Sequence, residues 1–446
     1  MVISFARALR TSIFHSITFS GAGGKTTALF HLANVLSKDS PVIVTASSHL
    51  GAWQSALADR HFIVESLGEL EELESKLQGI TLLTGAFDEG RTKPLDEDLL
   101  NWLNSFCKSR SIPLLIEADG SRQKPLKAWA THEPPIPAFV EEAVQVVGLS
   151  GIGKPLSTEV VHRAEIFSKL SGLKTGEEIT PEVVARVLTH ADGSQKNIPD
   201  GARKTVLLNQ ADTDELQSIA RGMVTPLLSS FHSVVISSLI QEKVFAVHER
   251  VAGIILAAGG STRFGKPKQL LDWKGETFVH TVARTALDVG LSPVIVVTGA
   301  NAEQVAAAVN DLDVILVRND DWESGQSSSI KSGVNKLISS NSEVGSAIFL
   351  LTDQPQITPS ILRALVEKHA EGLYPIVAPM VLDQRANPVL FDRFTFSDLL
   401  SIEGDVGGRA IFHKHQVEYL PWHDDRMLLD VDTPEHYQRL ISDETL

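Results

Sequence analysis

A chain of 446 residues is too long for one hydrophobic core, and at about 150 residues per domain it predicts two or three domains. Apolar residues make up 43% and charged residues 21%, a globular composition, while a net charge of −15, negative on either side of Val251, argues against binding to a nucleic-acid backbone or an anionic membrane. The lone Cys107 excludes an internal disulfide framework, a thiolate zinc site and a cysteine-ligated iron–sulfur cluster.

The N-terminus carries Arg7 and Arg10 inside its apolar pattern, which predicts a short helix rather than a signal peptide. With no run of about 18 apolar residues, a cytoplasmic protein is expected. The apolar segment 16–19 then enters the glycine-rich loop GAGGKTT (21–27), followed by a helical pattern over 28–38. Further buried strands are expected at 41–46, 113–120, 144–149, 204–212 and 232–238. A second strand-and-glycine-loop pair, VAGIILAAGG (251–260), precedes a helical pattern over 277–290 and strands at 293–299, 313–319, 345–353, 375–379 and 417–422. Strand, glycine loop, helix opens an α/β nucleotide-binding unit. Two such openings predict two α/β domains, 1–245 and 248–446, joined near QEKVFAVHER (241–250). The first is expected to be a P-loop-like three-layer domain. The second is expected to be Rossmann-like, with a mostly parallel mixed sheet.

The segment LAAGGSTRFGKPKQLL (256–271) carries the sharpest chemistry. Gly259 and Gly260 let main-chain N–H groups approach phosphate oxygens. Arg263 can grip a triphosphate bidentately, and Lys268 adds a point-like positive charge. Asp353 in TDQP (352–355) falls at a strand end, where ligands gather in open α/β sheets. Asp430 and Asp432 in LLDVDTPEH (428–436) are alternate residues, expected on one strand face and able to share a hard cation.

The region from about 251 to 440 resembles the MobA-like nucleotidyltransferases, through Gly259, Ser261, Arg263, Gly265 and Lys268 of their LAAGxSxRxGxxK motif. The resemblance is closest to the molybdenum cofactor cytidylyltransferases, since Ala257-Ala258-Gly259 replaces the Ala-Gly-Gly typical of guanylyl members. It implies nucleotide contacts by Leu256, Ala257, Ala258, Gly259, Gly260, Ser261, Arg263, Lys268 and Thr298. NDDWESGQSSSIKSG (319–333) adds Asn319, Trp322, Gly325, Ser328 and Ser329. It implies substrate loops with Asn387 in QRANP (384–388) and Asp405, Gly407 and Arg409 in IEGDVGGR (402–409). Ala386 stands where the family often has glycine, and His436 where it more often has an acidic residue. Mg2+ is implied on Asp353 and Asp432, with Asp430 beside them, and Arg263, Lys268 and Asp353 as catalytic groups.

The first 240 residues resemble the YqeC-type accessory proteins of selenium-dependent molybdenum hydroxylases, through GAGGKTT, EADGSRQKPLKA (117–128), HEPPIP (132–137), GKPL (153–156), VHRAE (161–165) and LLNQAD (207–212). GAGGKTT departs from the GxxxxGK[ST] phosphate loop, whose first glycine would fall at Phe19. Its functional end survives: Gly21, Gly23, Gly24, Lys25, Thr26 and Thr27 are candidate phosphate and magnesium contacts for ATP or GTP. Glu117 and Asp119 are candidate metal or water ligands at a strand end. Asn209 and Asp212 resemble the NKxD base-reading motif, with Gln210 in place of its lysine. His49, His132 and His162 are open between turn residues and phosphate or metal contacts.

The reaction implied is cytidylyl transfer from CTP to the terminal phosphate of molybdopterin with release of pyrophosphate, serving an apo-molybdenum hydroxylase. Such a transfer needs alignment and charge neutralisation rather than a covalent nucleophile. Another nucleotidyltransferase, using GTP or a sugar phosphate, and a non-catalytic cofactor carrier are the alternatives.

Overall fold

In the computed structural model, residues 3–71, 73–88, 90–260, 264, 266–340 and 343–442 are described. The chain divides into two compact units, Val2–His248 and Glu249–Leu446. The first is built on eight parallel strands: β1 Ser16–Gly21, β2 Val42–Ala46, β3 Arg60–Ile63, β4 Ile80–Thr84, β5 Leu114–Glu117, β6 Glu142–Gly148, β7 Arg203–Asn209 and β8 Ser233–Ser238. Their order is β8-β7-β6-β1-β5-β2-β4-β3. β1 lies between β5 and β6, with Phe19 opposite Glu117 and Gly21 opposite Val146. Every residue of β1, β5 and β6 is buried, as a parallel sheet covered on both faces requires, and this gives a three-layer unit.

Helix α1, Lys25–Leu36, begins directly after the first glycine loop. Helix α2, Glu97–Arg110, starts at Asp96, whose carboxylate accepts from Leu99 N at 2.8 Å. Its Leu99, Leu103, Phe106 and Cys107 pack with Ile43, Leu114 and Ile116. Helix α3, Asp214–Leu228, packs Ala220, Met223 and Leu227 with Val206 and Leu208. The strands β3 and β4 were not among those expected from the apolar pattern. β3, RHFI, is partly exposed, and β4, ITLLT, carries two threonines among its apolar residues.

The joint between the units is itself strand. β9 runs unbroken from Lys243 to Ala257, so QEKVFAVHER is mostly extended sheet rather than an open linker. The second unit continues with β10 Val294–Thr298, β11 Ile315–Arg318, β12 Val344–Leu351, β13 Ile376–Val381, β14 Val389–Asp392 and β15 Val417–Pro421. Their order is β11-β10-β9-β12-β14-β13-β15. Among these strands β14 runs against the others, and the two-residue strand Gln384–Arg385 also pairs antiparallel with β13. β14 begins directly after QRANP and was not among the strands expected from the sequence. Helix α4, Phe278–Asp288, packs Val279, Val282 and Ala286 with Ile255 and Val296. Helix α5, Gln326–Ser339, packs Ile330, Val334 and Leu337 with Ile254 and Val297. Successive residues of the same strands thus meet different helices.

Candidate functional site

In the second unit β9, β10 and β12 end together, and a cavity of about 590 Å³ opens there. Leu256, Ala258, Gly259 and Gly260 form one wall, and Trp322, Gly325 and Ser329 another. Ala257 is buried beneath, its carbonyl held by Gln269 Nε2 at 3.1 Å, and the same amide nitrogen reaches the Gly259 carbonyl at 2.6 Å. Gln269 therefore sets the path of the glycine loop. Sequence reasoning missed it, although it lies within the GKPKQLL run. Ser261, Arg263 and Gly265 lie outside the described residues.

The floor of the cavity holds three charges. Lys268 Nζ lies 3.2 Å from Asp353 Oδ2 and 2.7 Å from Asp432 Oδ1. Burial works against the ammonium, but the two carboxylates outweigh it and raise its pKa above the usual lysine value. Asp353 Oδ1 is buried and accepts no hydrogen bond from the described residues. Two carboxylates on a single cation, one with a spare buried oxygen, suit a hard divalent ion completed by phosphate and water oxygens.

Asp430 departs from its expected place. Residues 430–432 are not in a strand, and Asp432 N bonds the Asp430 carbonyl at 3.0 Å. Alternation does not apply in this tight turn, so the two carboxylates part. Asp432 goes to Lys268, and Asp430 accepts from Gln354 Nε2 at 2.7 Å. Among the described residues no group of three or more His, Cys, Asp or Glu side chains is placed to hold a metal. The proposed three-aspartate set thus reduces to a pair. His436 Nδ1 lies 2.8 Å from the Asp430 carbonyl.

Several nucleotide candidates act behind the cavity rather than in its wall. Asn319 is buried, donating to Ser328 Oγ at 2.8 Å and Ser329 Oγ at 3.0 Å. Its Oδ1 accepts from Asp321 N at 3.1 Å, so it fastens the turn that carries Trp322 and Gly325 to the start of α5. Ser328 also bonds the Gly325 carbonyl. Thr298 is buried and donates to the Val317 carbonyl, tying β10 to β11. Gly325 has φ 111°, and a Cβ there would stand 2.5 Å from Asp405 Cα, so only glycine lets the two loops close.

Asp405 lines the main cavity and accepts from Gln326 N at 3.2 Å at the start of α5. Asn387, Gly407 and Arg409 line a smaller neighbouring cavity of about 200 Å³ with apolar Ile330, Phe349 and Phe391. Leu256, Gln326 and Leu351 are walls of both. The substrate candidates thus divide between two adjoining spaces.

The first unit has its own cavity, of about 470 Å³, over the end of β1 and the start of α1. Gly23, Gly24, Lys25, Thr26 and Thr27 line it, together with His49. Backbone N–H groups and the positive end of α1 favour an anion here. Lys25 Nζ lies 2.9 Å from the Gly21 carbonyl and 3.4 Å from Asp119. Thr26 Oγ1 donates to Glu117 Oε2 at 2.8 Å. Burial pushes the Glu117 carboxyl up, against the attraction of Lys25.

Gly21, Asp119, Asn209 and Asp212 do not line this cavity. Asp119 is buried, accepting from Gly21 N at 3.1 Å and Trp129 Nε1 at 3.0 Å, with Lys127 at 2.9 Å. Lys127 in turn meets Glu133 at 3.2 Å, and Glu133 meets Arg163 at 2.8 Å. The expected ligand is therefore one link in an internal chain of charges. Asn209 donates to the Gly23 carbonyl at 2.8 Å and accepts from Leu239 N at 3.1 Å. Asp212 accepts from the Ser238 hydroxyl. Both are taken up bracing loops and do not face the cavity as base readers. Gln210 does line it, its Oε1 held by Ser150 Oγ at 2.7 Å. His132 is exposed outside the cavity. His162 is also outside it, and burial with Lys127 and Arg163 lowers its pKa to about 4. Arg91, Arg122 and Lys124 line the cavity without having been singled out, because no periodicity marks a loop residue as facing inward.

Two protein families match separate parts of the chain. Residues 253–419 match the MobA-like NTP transferase domain family, and residues 17–165 match the YqeC protein family. Nicotine blue oxidoreductase of Paenarthrobacter nicotinovorans is 32% identical over 200 residues, 43% of this chain and 96% of that protein. YqeC of Escherichia coli (strain K12) is 29% identical over 216 residues, 47% of this chain and 82% of that protein. A probable molybdenum cofactor guanylyltransferase of Bacillus cytotoxicus is 38% identical over 65 residues, 15% of this chain and 32% of that protein. The chain belongs to the MobA-like NTP transferase family through its second unit, and its first unit carries a YqeC domain.

Proposed function

We propose that the second unit transfers a cytidylyl group from CTP to the terminal phosphate of molybdopterin during maturation of molybdenum hydroxylases. The supporting observation is the meeting of Lys268, Asp353 and Asp432 beneath the glycine loop. An oxygen of the molybdopterin phosphate attacks the α-phosphorus of CTP, the bond to the β-phosphate oxygen breaks, and pyrophosphate leaves. Loop amides at 258–260 receive the triphosphate, and Lys268 and Arg263 neutralise charge on the departing group. Asp353 and Asp432 would hold Mg2+, which when bound neutralises phosphate charge and orients the reacting oxygens. Asn387, Gly407 and Arg409, in the adjoining cavity, suit the acceptor substrate, and an apo-molybdenum hydroxylase is the recipient of the product.

The first unit, on this reading, binds ATP or GTP through Lys25 and Thr26, and Thr26 and Glu117 would hold a magnesium ion. Asp119 supports the loop from behind.

CTP is favoured by Ala257-Ala258-Gly259 in the glycine loop. GTP is the second reading, carried by the likeness to a probable molybdenum cofactor guanylyltransferase. The test is pyrophosphate release with each nucleotide and molybdenum-loaded molybdopterin. Turnover with CTP supports the first reading, and turnover with GTP alone replaces it. Cofactor delivery that survives Asp353→Ala without any nucleotide transfer would point to a carrier instead.

A further inference from the structure

If the phosphate loop of the first unit holds a nucleoside triphosphate, as proposed above, its base needs a site, and the strand-end candidates do not supply one. Asn209 is bonded at both ends of its amide, and Asp212 is turned to Ser238. The cavity instead extends to the turn 52–57, where Trp53 stands 58% exposed. Among the described lining residues its ring is the one large aromatic surface. A Cβ on Gly51 would stand 2.6 Å from the indole Nε1, so the glycine permits the ring to lie where it does.

The next residue ties this turn to the loop. Gln54 Nε2 is 3.4 Å from Thr26 Oγ1, and the side chain is 7% exposed. Gln54 lines the same cavity, and its Oε1 is buried and accepts no hydrogen bond from the described residues. A buried acceptor without a donor is costly, and a ligand hydroxyl, amino group or phosphate-bound water would satisfy it. Among the described lining residues, Lys25, Arg91, Arg122 and Lys124 stand against one carboxylate, that of Glu117. Cations around the loop and a flat apolar ring beyond them suit a ligand that is polyphosphate at one end and planar at the other.

We propose that Trp53 is the platform on which the base of the nucleoside triphosphate stacks, with Gln54 as an acceptor between base and phosphates. Stacking is tolerant of base identity because every base has a π face, so this site binds ATP and GTP alike.

The test uses full-length protein and amide hydrogen exchange of residues 21–36, which reads occupancy of this cavity alone. Titrations with ATP, GTP and inorganic tripolyphosphate are compared in wild type, Trp53→Ala and Trp53→Phe. Because Trp53 is more than half exposed, its loss leaves the core intact. Trp53→Ala is expected to raise the half-saturating ATP and GTP concentrations about ten-fold, to leave tripolyphosphate unchanged, and to be largely rescued by Trp53→Phe. Equal shifts for all three ligands, or no shift, would overturn the stacking role. So would tripolyphosphate protecting the wild-type loop as well as the nucleotides do. If none of the three protects the loop in wild type, the phosphate-loop reading itself fails and the platform falls with it.

Discussion

Asp353 and Asp430 show how one carboxylate differs from another by what surrounds it. Both were expected on a metal, but only Asp353 shares a cation with Asp432, and of the two only Asp353 has a buried oxygen with no partner among the described residues. Asp353→Asn is therefore expected to lower kcat for nucleotidyl transfer roughly 10²–10³-fold. Asp430→Asn, which keeps an acceptor for Gln354, should cost less than about ten-fold. Steady-state pyrophosphate assays on the two variants check the contrast, and equal losses would restore the three-carboxylate site. Cys107 is a second residue whose surroundings decide its chemistry. Burial inside α2 pushes its thiol up to about 12, so almost no thiolate exists near neutrality, and selenium or sulfur chemistry at this residue is disfavoured. Alkylation by iodoacetamide at pH 8 should be about 10³-fold slower in the folded chain than in urea.

At the scale of elements, the fold depends on short loops held by side chains from distant strands. Asn209, at the end of β7, clamps the glycine loop to residue 239. Asn209→Ala leaves Gly23 O and Leu239 N without that partner and should cost about 1–3 kcal/mol, measured as a lower urea midpoint of the first unit. The charge chain behind the same loop predicts acid sensitivity. Against the effect of burial, Arg163 and Lys127 hold Glu133 at about 2. A depressed carboxyl adds stability above its unfolded pKa and loses it as pH falls through the folded value. His162, lowered to about 4, favours the neutral ring, so its share is present above pH 6.5 and lost as pH falls towards 4. Stability of the first unit should decline from about pH 6.5 downwards, with Glu133→Gln flattening the part below about pH 4.5. Urea titrations between pH 7 and 3 read both parts. Gly325→Ala, forced against the backbone of Asp405, should displace the turn before α5 and raise KM for the nucleotide more than it lowers kcat.

At the scale of the whole chain, two compact units each carry a glycine loop and cavity. Lys25→Ala should abolish nucleotide protection of the first loop while leaving pyrophosphate release by the second unit within about two-fold of wild type. A parallel collapse of both signals in a folded protein would show that the two sites act as one. The two strand-loop-helix openings were legible because buried parallel strands read as continuous apolar runs and glycines mark the turns. β14 was not, being four residues long and set among turn signals. By itself the sequence determined the α/β class, the two loops and the residue types able to meet phosphate, since these depend on local periodicity and backbone freedom. Tertiary structure alone decided that Lys268 meets carboxylates 85 and 164 residues away. It also decided that Asp119 and Asn209 brace a loop and that Trp53 shares a cavity with Lys25. Side-chain partners across such separations follow from strand order and packing, which no local pattern encodes.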